Sequence, residues 1–189
     1  MKLEYVRRAV LGYPHTMDDG PGATPAAVAL ILSETAGEAE ALFIRRAVRA
    51  GDPWSGHVGL PGGMRDGADP NLLVTAARET REEIGVDLRT VLCLAQLSDV
   101  RTRTPRLPPV YVRPFVWALD ERPTLALSGE VEATFWVPLV KLLTPGARRD
   151  LDMPGLDRPV RAYVIGAEVI WGLTERILTP FLEVASRDL

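Results

Sequence analysis

Residues 78–86 read Arg-Glu-Thr-Arg-Glu-Glu-Ile-Gly-Val and end the clearest predicted helix of the chain. Apolar and small residues recur at three- and four-residue spacing, which predicts a helix over residues 71–84. Gly85 follows where a helix C-cap is expected. The preceding Asp69-Pro70 is typical of an N-cap followed by proline at the first helical position.

Three carboxylates lie on one face of this predicted helix. Glu79, Glu82 and Glu83 stand at i, i+3 and i+4, and at about 100° per residue they fall within an arc of roughly 100°. Such close like charges repel one another, and the ordinary interpretation is a solvated helix face. Glycine-rich loops flank the helix and the cluster contains no lysine, which favours a bound cation instead. Oxygen ligands suit Mg²⁺ or Mn²⁺ rather than zinc, and the two histidines, His15 and His57, are too scattered for a histidine site.

The overall composition restricts the class of protein. The chain has 189 residues, 47% of them hydrophobic and 25% charged, which is typical of a single globular domain over residues 1–189. A formal net charge of −3 argues against a nucleic acid polymer as partner. The sequence contains neither a signal-peptide apolar region nor an apolar run of bilayer length, so we expect a cytoplasmic protein without membrane contact. The single cysteine, Cys93, falls in a predicted buried strand and is interpreted as a structural thiol.

The other predicted elements are mostly strands. Short helices are expected at 3–11 and 138–143, and a terminal amphipathic helix bent by Pro180 at 173–186. Periodicity and turn residues predict strands at 26–32, 41–46, 57–60, 91–97, 110–119, 131–137, 161–165 and 168–170, with residues 33–40 as a hairpin connection. This mixture predicts a single layered α/β domain.

The glutamate helix resembles the second half of the Nudix box, G-x5-E-x7-R-E-U-x-E-E-x-G-U, where U is an aliphatic residue. The matching positions are Arg78, Glu79, Glu82, Glu83, Gly85 and Val86, with Thr80 in place of the first aliphatic residue. Leu60-Pro61-Gly62-Gly63 is similar to the glycine entry of the box, which thus spans about 62–86. Gly63 precedes Arg78 by fifteen positions (78 − 63), one more than the pattern has. The first glutamate of the pattern would fall at Pro70, so Asp69 is either its substitute or only a helix cap.

The resemblance implies a Nudix-type α/β/α sandwich with a mixed β-sheet and a metal-dependent pyrophosphohydrolase. It implies that Glu82 and Glu83 are the core ligands of Mg²⁺ or Mn²⁺, and that Glu79 is a further ligand or the base. The backbone carbonyl of Gly62 or Gly63 is expected as an additional ligand, and Arg78 is expected to orient the glutamates. Glu130 is similar to a later glutamate of the family that binds metal or acts as the base. The alternative interpretation is that Glu130 is a solvent-exposed residue without a role in the site.

The chain is most similar to the coenzyme A pyrophosphatase branch of the family. The resemblance includes Gly56 four residues before Leu60, the segment 42–47 and the segment 169–174. It departs at Asp52, where the branch has an arginine. We therefore expect a small-molecule nucleotide substrate, with coenzyme A as one candidate and ADP-ribose or a dinucleotide as the alternative. The predicted substrate-binding residues are Arg45, Arg46, Arg49, Arg101, Arg103 and Glu130.

Two further expectations follow from the resemblance. A non-catalytic Nudix-like sensor module would keep the fold, but such modules usually lack box glutamates, and Glu79, Glu82 and Glu83 are all present here. Many members of the family are homodimers, which makes a homodimer one expectation for this chain, although no segment of the sequence locates an interface.

Overall fold

The computed structural model describes residues 1–17, 22–52, 54–102 and 109–187. Strands outnumber helices, in agreement with the sequence pattern. In chain order the elements are α1 (Leu3–Val10), β1 (Thr24–Thr35), β2 (Glu38–Arg46), β3 (Val58–Gly59), β4 (Gly62–Met64), α2 (Leu72–Ile84), β5 (Cys93–Gln96), β6 (Val100–Arg101), β7 (Val110–Ala118), β8 (Val131–Pro138), α3 (Leu139–Leu143), β9 (Arg148–Leu151), β10 (Val160–Ile165), β11 (Glu168–Trp171) and α4 (Leu173–Ala185).

Eight of the described strands form one mixed sheet around β1. β1 runs parallel to β7 and antiparallel to β2 and β4. β2 continues the sheet to β3 and β8, and β7 pairs with β5 and β6, all antiparallel. The mixed sheet expected from the sequence is confirmed.

The two faces of this sheet bury two separate apolar cores. In β1, Ala27, Ala29 and Ile31 pack in the core that also contains Leu72, Ala76 and Ile84 of α2. The alternate β1 residues, Ala26, Leu30 and Leu32, pack in the core that contains α1 and α4 residues. Because successive side chains of a strand point to opposite faces, helices cover both sides of the sheet. The predicted α/β/α sandwich is therefore confirmed.

A second, three-stranded sheet follows in the order β11-β10-β9. The hairpin β10–β11 turns at Gly166-Ala167, as the sequence predicted, and Val164 pairs with Val169. Tyr163 and Ile170 of this sheet join the core formed by α1 and α4. The small sheet therefore extends the layer opposite α2.

Several boundaries differ from the sequence prediction. β1 and β2 continue to Thr35 and Glu38, so the connection is a two-residue turn rather than the segment 33–40, because paired backbone amides extend the hairpin beyond its apolar part. The strands β4, β6 and β9 were not predicted, since they are short and rich in glycine or charged residues. Pro180 lies inside α4, as expected.

The sequence predicted the C-cap of α2 correctly and its N-cap wrongly. Gly85 adopts a left-handed conformation (φ 76°) and its N–H donates to the Arg81 carbonyl, which confirms the C-cap. The N-cap is Asn71 and not Asp69, because the Asn71 side chain accepts a hydrogen bond from the Val74 N–H at 3.0 Å. Asp69 lies two residues before Asn71, and its carboxylate accepts hydrogen bonds from Arg78 and Thr75 instead.

Candidate active site

The site lies where β4 meets α2. β4 pairs with β1, with Gly62 opposite Val28 and Gly63 opposite Ala27. A Cβ at Gly62 would lie 2.2 Å from the carbonyl oxygen of Ala27, and the residue has a φ of 151°. Only glycine fits this close approach, which holds the Gly62 amide against the last turns of α2.

Glu83 is the most buried carboxylate of the predicted cluster. Its side chain is 3% exposed, and one carboxylate oxygen accepts a hydrogen bond from the Gly62 N–H at 2.9 Å. Burial raises the pKa of Glu83 to about 7, against the opposing effects of the Gly62 hydrogen bond and the positive charge of Arg46. The negative charges of Glu79 and Glu130 raise this pKa further. Glu83 is thus a buried carboxyl group with the negatively charged Glu79 and Glu130 nearby.

Glu79 lies beside the next glycine. A Cβ at Gly63 would come within 2.5 Å of the Glu79 Cδ, so the absence of a side chain at Gly63 makes room for this carboxylate. Burial also raises the pKa of Glu79, and the nearby charges of Glu82 and Glu130 act in the same direction. Glu82 is 59% exposed at the outer side of the cluster. Glu79 and Glu83 therefore face the glycine strand, and Glu82 faces solvent.

Arg78 connects Glu79 and Glu82 to the loop before α2. Its Nη1 lies 2.8 Å from Glu79 and 2.9 Å from Glu82, and its Nη2 donates to the carbonyl of Met64 at 3.2 Å. On its other side, Arg78 binds Asp69 through Nε and Nη2, at 3.1 Å and 2.9 Å for the shorter contacts. Arg78 therefore contacts two of the three predicted glutamates and the aspartate before the helix.

Asp69 is a residue whose role sequence reasoning missed. It is buried, and in addition to Arg78 it accepts hydrogen bonds from the Thr75 hydroxyl at 2.9 Å and the Asp66 N–H at 3.0 Å. The hydrogen bonds from Arg78 lower the pKa of Asp69 to about 2, so the group is ionised at neutral pH. Asp69 orients Arg78, and its position next to Pro70, where the box pattern has a glutamate, was the available signal.

Arg46 reaches the cluster from β2. It points to the face that carries Ile44, and its Nη1 lies 3.5 Å from Glu83. Its Nη2 donates to Asp52 at 3.0 Å. Burial opposes the ionisation of Asp52, but the hydrogen bonds from the Trp54 N–H and from Arg46 outweigh it and lower the pKa of Asp52. Arg46 therefore lies between two carboxylates.

The other predicted substrate residues are distributed around this centre. Arg49 forms an ion pair with Glu130 at 2.9 Å, and both side chains are about half exposed. Arg45 points away from Glu83 and pairs with Glu168 and Glu132. The Arg101 carbonyl accepts a hydrogen bond from Arg176 of α4, and Arg103 lies outside the described residues. The structure thus brings together Arg46, Arg49 and Glu130 with the glutamates, and it does not bring Arg45.

The donor set, carboxylates with backbone carbonyls, fits a hard divalent cation, and two arginines contact these carboxylates. Within the described ranges, no three His, Cys, Asp or Glu side chains are already arranged to hold a metal ion. Arg78 binds Glu79 and Glu82, and Arg46 approaches Glu83, so cations of the protein occupy the places beside the carboxylate oxygens. The raised pKa values of Glu79 and Glu83 reflect unfavourable negative charge, which a divalent cation would relieve.

The comparisons with known proteins agree with this geometry. A family model described as the NUDIX domain matches residues 23–154, more than half of the chain. The chain therefore belongs to the Nudix family, whose hydrolases generally use divalent metal ions.

Relatives of the chain include proteins named as hydrolases. The uncharacterised Nudix hydrolase NudL of Photorhabdus laumondii is 33% identical over 129 residues, 66% of each chain. The peroxisomal coenzyme A diphosphatase ndx-8 of Caenorhabditis elegans is 43% identical over 91 residues, 47% of this chain and 37% of the relative. The chain spans 33% to 66% of the length of the curated relatives it matches first.

Solved structures share the fold. A MutT protein from Methanosarcina mazei superposes with a TM-score of 0.54 at 23% identity, over 88% of this chain and 94% of that chain. The NUDIX domain of Shewanella oneidensis NrtR, solved with ADP-ribose, superposes with a TM-score of 0.51 at 20% identity, over 66% and 78% of the two chains.

No helix in the described part of the chain is long and apolar enough to span a membrane.

Proposed function

We propose that this chain is a Mg²⁺- or Mn²⁺-dependent pyrophosphohydrolase that cleaves a nucleoside diphosphate linked to another group X. The observation that carries the proposal is the placement of Glu79 and Glu83 against the Gly62–Gly63 strand, where burial raises the pKa of both carboxyls. A pyrophosphate concentrates negative charge, and its hydrolysis needs that charge to be neutralised while water attacks one phosphorus in line.

Each residue of the site has a role in this proposal. Glu83, Glu82 and Glu79, with the carbonyl of Gly62 or Gly63, would hold the metal, which supplies charge neutralisation and a more acidic water. One carboxylate of this cluster accepts the proton of the attacking water. Arg78, anchored by Asp69, orients Glu79 and Glu82.

Arginines beside the cluster supply phosphate contacts. Arg46 presents a guanidinium 3.5 Å from Glu83, and Arg49 lies at the rim beside Glu130. A guanidinium donates two parallel hydrogen bonds to phosphate oxygens, which suits it to a pyrophosphate.

Glu130 influences the pKa of both Glu79 and Glu83, which supports a role beside the metal or as the base.

Coenzyme A is the first substrate candidate and ADP-ribose or a dinucleotide the second. The first candidate is supported by the 43% identity to a protein named as a coenzyme A diphosphatase, although the match covers only 37% of that protein. Asp52 favours the second candidate, because an ionised carboxylate at that position would repel the 3′-phosphate of coenzyme A. The cytoplasmic location and the homodimer stay predictions.

A substrate panel tests the proposal. The protein would be incubated with Mg²⁺ or Mn²⁺ and with coenzyme A, ADP-ribose, NADH or a diadenosine polyphosphate, and the products separated by chromatography. We expect cleavage at the pyrophosphate of at least one compound, with coenzyme A giving 3′-phospho-AMP and phosphopantetheine. Binding of a nucleotide without turnover of any compound would instead support the sensor module, and the hydrolase proposal would be abandoned.

A further inference from the structure

Two arginines touch the glutamates of the site, and each is anchored by an aspartate outside the cluster. Arg78 contacts Glu79 and Glu82 and is held by Asp69. Arg46 contacts Glu83 and is held by Asp52. The first anchor lies next to the glutamate helix, whereas the second belongs to the loop between β2 and β3.

The contacts of Arg46 are unequal. Its Nη2 lies 3.0 Å from the Asp52 carboxylate, whereas its Nη1 lies 3.5 Å from that of Glu83. The Arg46 Nε is buried and makes no hydrogen bond with any residue that the structure describes. A guanidinium that can form a bidentate pair with one carboxylate is thus shared between two, and its shorter contact is to Asp52.

Asp52 is itself fixed by its loop. Its Oδ1 accepts a hydrogen bond from the Trp54 N–H at 2.9 Å, which leaves Oδ2 directed at Arg46. Trp54 packs against the apolar core opposite α2, and this packing ties the loop to the domain. The carboxylate of Asp52 is therefore a fixed counter-ion for Arg46.

We propose that Asp52 is a positioning residue that draws Arg46 away from Glu83 and so keeps the Glu83 carboxylate available to a divalent cation. This inference rests on the proposed metal site. Without the charge of Asp52, Glu83 is the nearest counter-ion of Arg46, and the guanidinium closes onto it. A protein cation then competes with the metal for the same oxygens. With Asp52 present, Arg46 stays beside the site, where it faces the phosphates of the substrate.

Mn²⁺ binding, measured by isothermal titration calorimetry without substrate, tests this inference in four proteins: the parent, D52N, R46Q and D52N/R46Q. Asn keeps an oxygen that accepts the Trp54 hydrogen bond but removes the charge. We expect D52N to raise the Mn²⁺ dissociation constant about tenfold, the lower end of the range for a residue behind a metal ligand. R46Q should bind Mn²⁺ at least as tightly as the parent, and D52N/R46Q should bind it as R46Q does, because Asp52 acts through Arg46.

Asp66 provides a matched control for the loss of one negative charge. Its Oδ1 accepts the Ala68 N–H at 2.8 Å, as Asp52 accepts that of Trp54, but Asp66 makes no ion pair in the described part of the chain. D66N keeps an oxygen for the Ala68 N–H and leaves the backbone hydrogen bond from Asp66 to Asp69 in place, so Mn²⁺ affinity should stay within about twofold of the parent. D52S serves as a second neutral variant if D52N does not fold.

The outcomes separate this inference from the proposed function. If D52N weakens Mn²⁺ binding equally with and without Arg46, or leaves it unchanged, Asp52 is only a loop anchor and the inference is overturned. If the parent chain binds no Mn²⁺, the metal site itself is wrong, and both proposals fall together.

Discussion

Gly62 and Gly63 are adjacent, but they are required for different reasons. At Gly62 a side chain would meet the backbone of β1, and at Gly63 it would meet the carboxylate of Glu79. Backbone in a paired strand cannot move without breaking its ladder, whereas a glutamate side chain can rotate. The two positions therefore separate a requirement of the fold from a requirement of the site.

Alanine at each glycine should separate stability from activity. Gly62→Ala places a Cβ 2.2 Å from the Ala27 oxygen at a φ of 151°, and we expect it to destabilise the fold by about 3 kcal/mol or more. Gly63→Ala displaces Glu79 instead, so it should cost about 1 kcal/mol and reduce kcat/KM by about 100-fold. Urea unfolding and steady-state kinetics measure both. A stable, fully active Gly63→Ala protein would contradict the placement of Glu79.

Glu83→Gln tests the buried carboxylate directly. Removal of its charge should reduce metal-dependent turnover by at least about 100-fold, as for the loss of a residue that binds metal or moves a proton. The chain should stay folded, because the amide oxygen still accepts the Gly62 hydrogen bond. Glu132→Gln is the control, since Glu132 is half exposed and pairs with Arg45 on the other side of β2. Normal turnover in Glu83→Gln would remove this residue from the site.

At the level of elements, α2 is held at its start by more than its own cap. Asn71 caps the first turn, while Asp69 joins the preceding loop to Thr75 and Arg78, about one and two turns into the helix. Arg78 in turn holds Glu79 and Glu82. The loop before α2 therefore sets both the entry of the helix and the orientation of its carboxylates.

This network predicts how stability depends on pH. The folded pKa of Asp69, about 2, lies below its ordinary value of 3.8, so its ionisation stabilises the fold fully above pH 4, and that contribution is lost as pH falls toward 2. Asp69→Asn should reduce the free energy of unfolding by about 2 kcal/mol at pH 7, as for a hydrogen-bonded charge. Urea unfolding at pH 7, 5 and 3 should show this difference shrinking at pH 3.

A surface ion pair is the control for that pH series. Asp120 pairs with Arg7 at 2.8 Å but is 94% exposed, so Asp120→Asn should change the free energy of unfolding little at any pH. A difference between Asp69→Asn and the parent that stayed constant down to pH 3 would mean that Asp69 acts through packing rather than through its charge.

Local sequence patterns were sufficient to predict α2 and its glutamates, but they could not predict contacts between different helices and strands. The 3.6-residue period and Gly85 determine the helix and its end within the chain segment itself. The partners of Arg46 and Arg49 depend on strand register: Glu83 is 37 positions from Arg46, and Glu130 is 81 positions from Arg49. For the same reason Arg45 and Arg46 could not be assigned to opposite faces before the pairing of β2 was known.

At the scale of the whole molecule, the site depends on a sheet that two helical layers stabilise. α2 and its carboxylates pack on one face, and α1, α4 and the small sheet cover the other. β1 contributes alternate residues to both cores, and its pairing with β4 positions Gly62 and Gly63. Loss of packing on the face opposite α2 should therefore also destabilise the site, because both faces share β1.

Phe181→Ala tests whether the chain unfolds as one unit. Phe181 is fully buried in α4, on the face opposite the glutamates, and its truncation should cost about 3–5 kcal/mol. Because both cores share β1, we expect one cooperative transition, with activity and far-ultraviolet circular dichroism lost at the same, lower urea concentration. KM in the absence of urea should stay unchanged, since Phe181 is remote from the site. If activity survived after the helical signal of the far layer was lost, the α2 face and the sheet would form a separate folding unit.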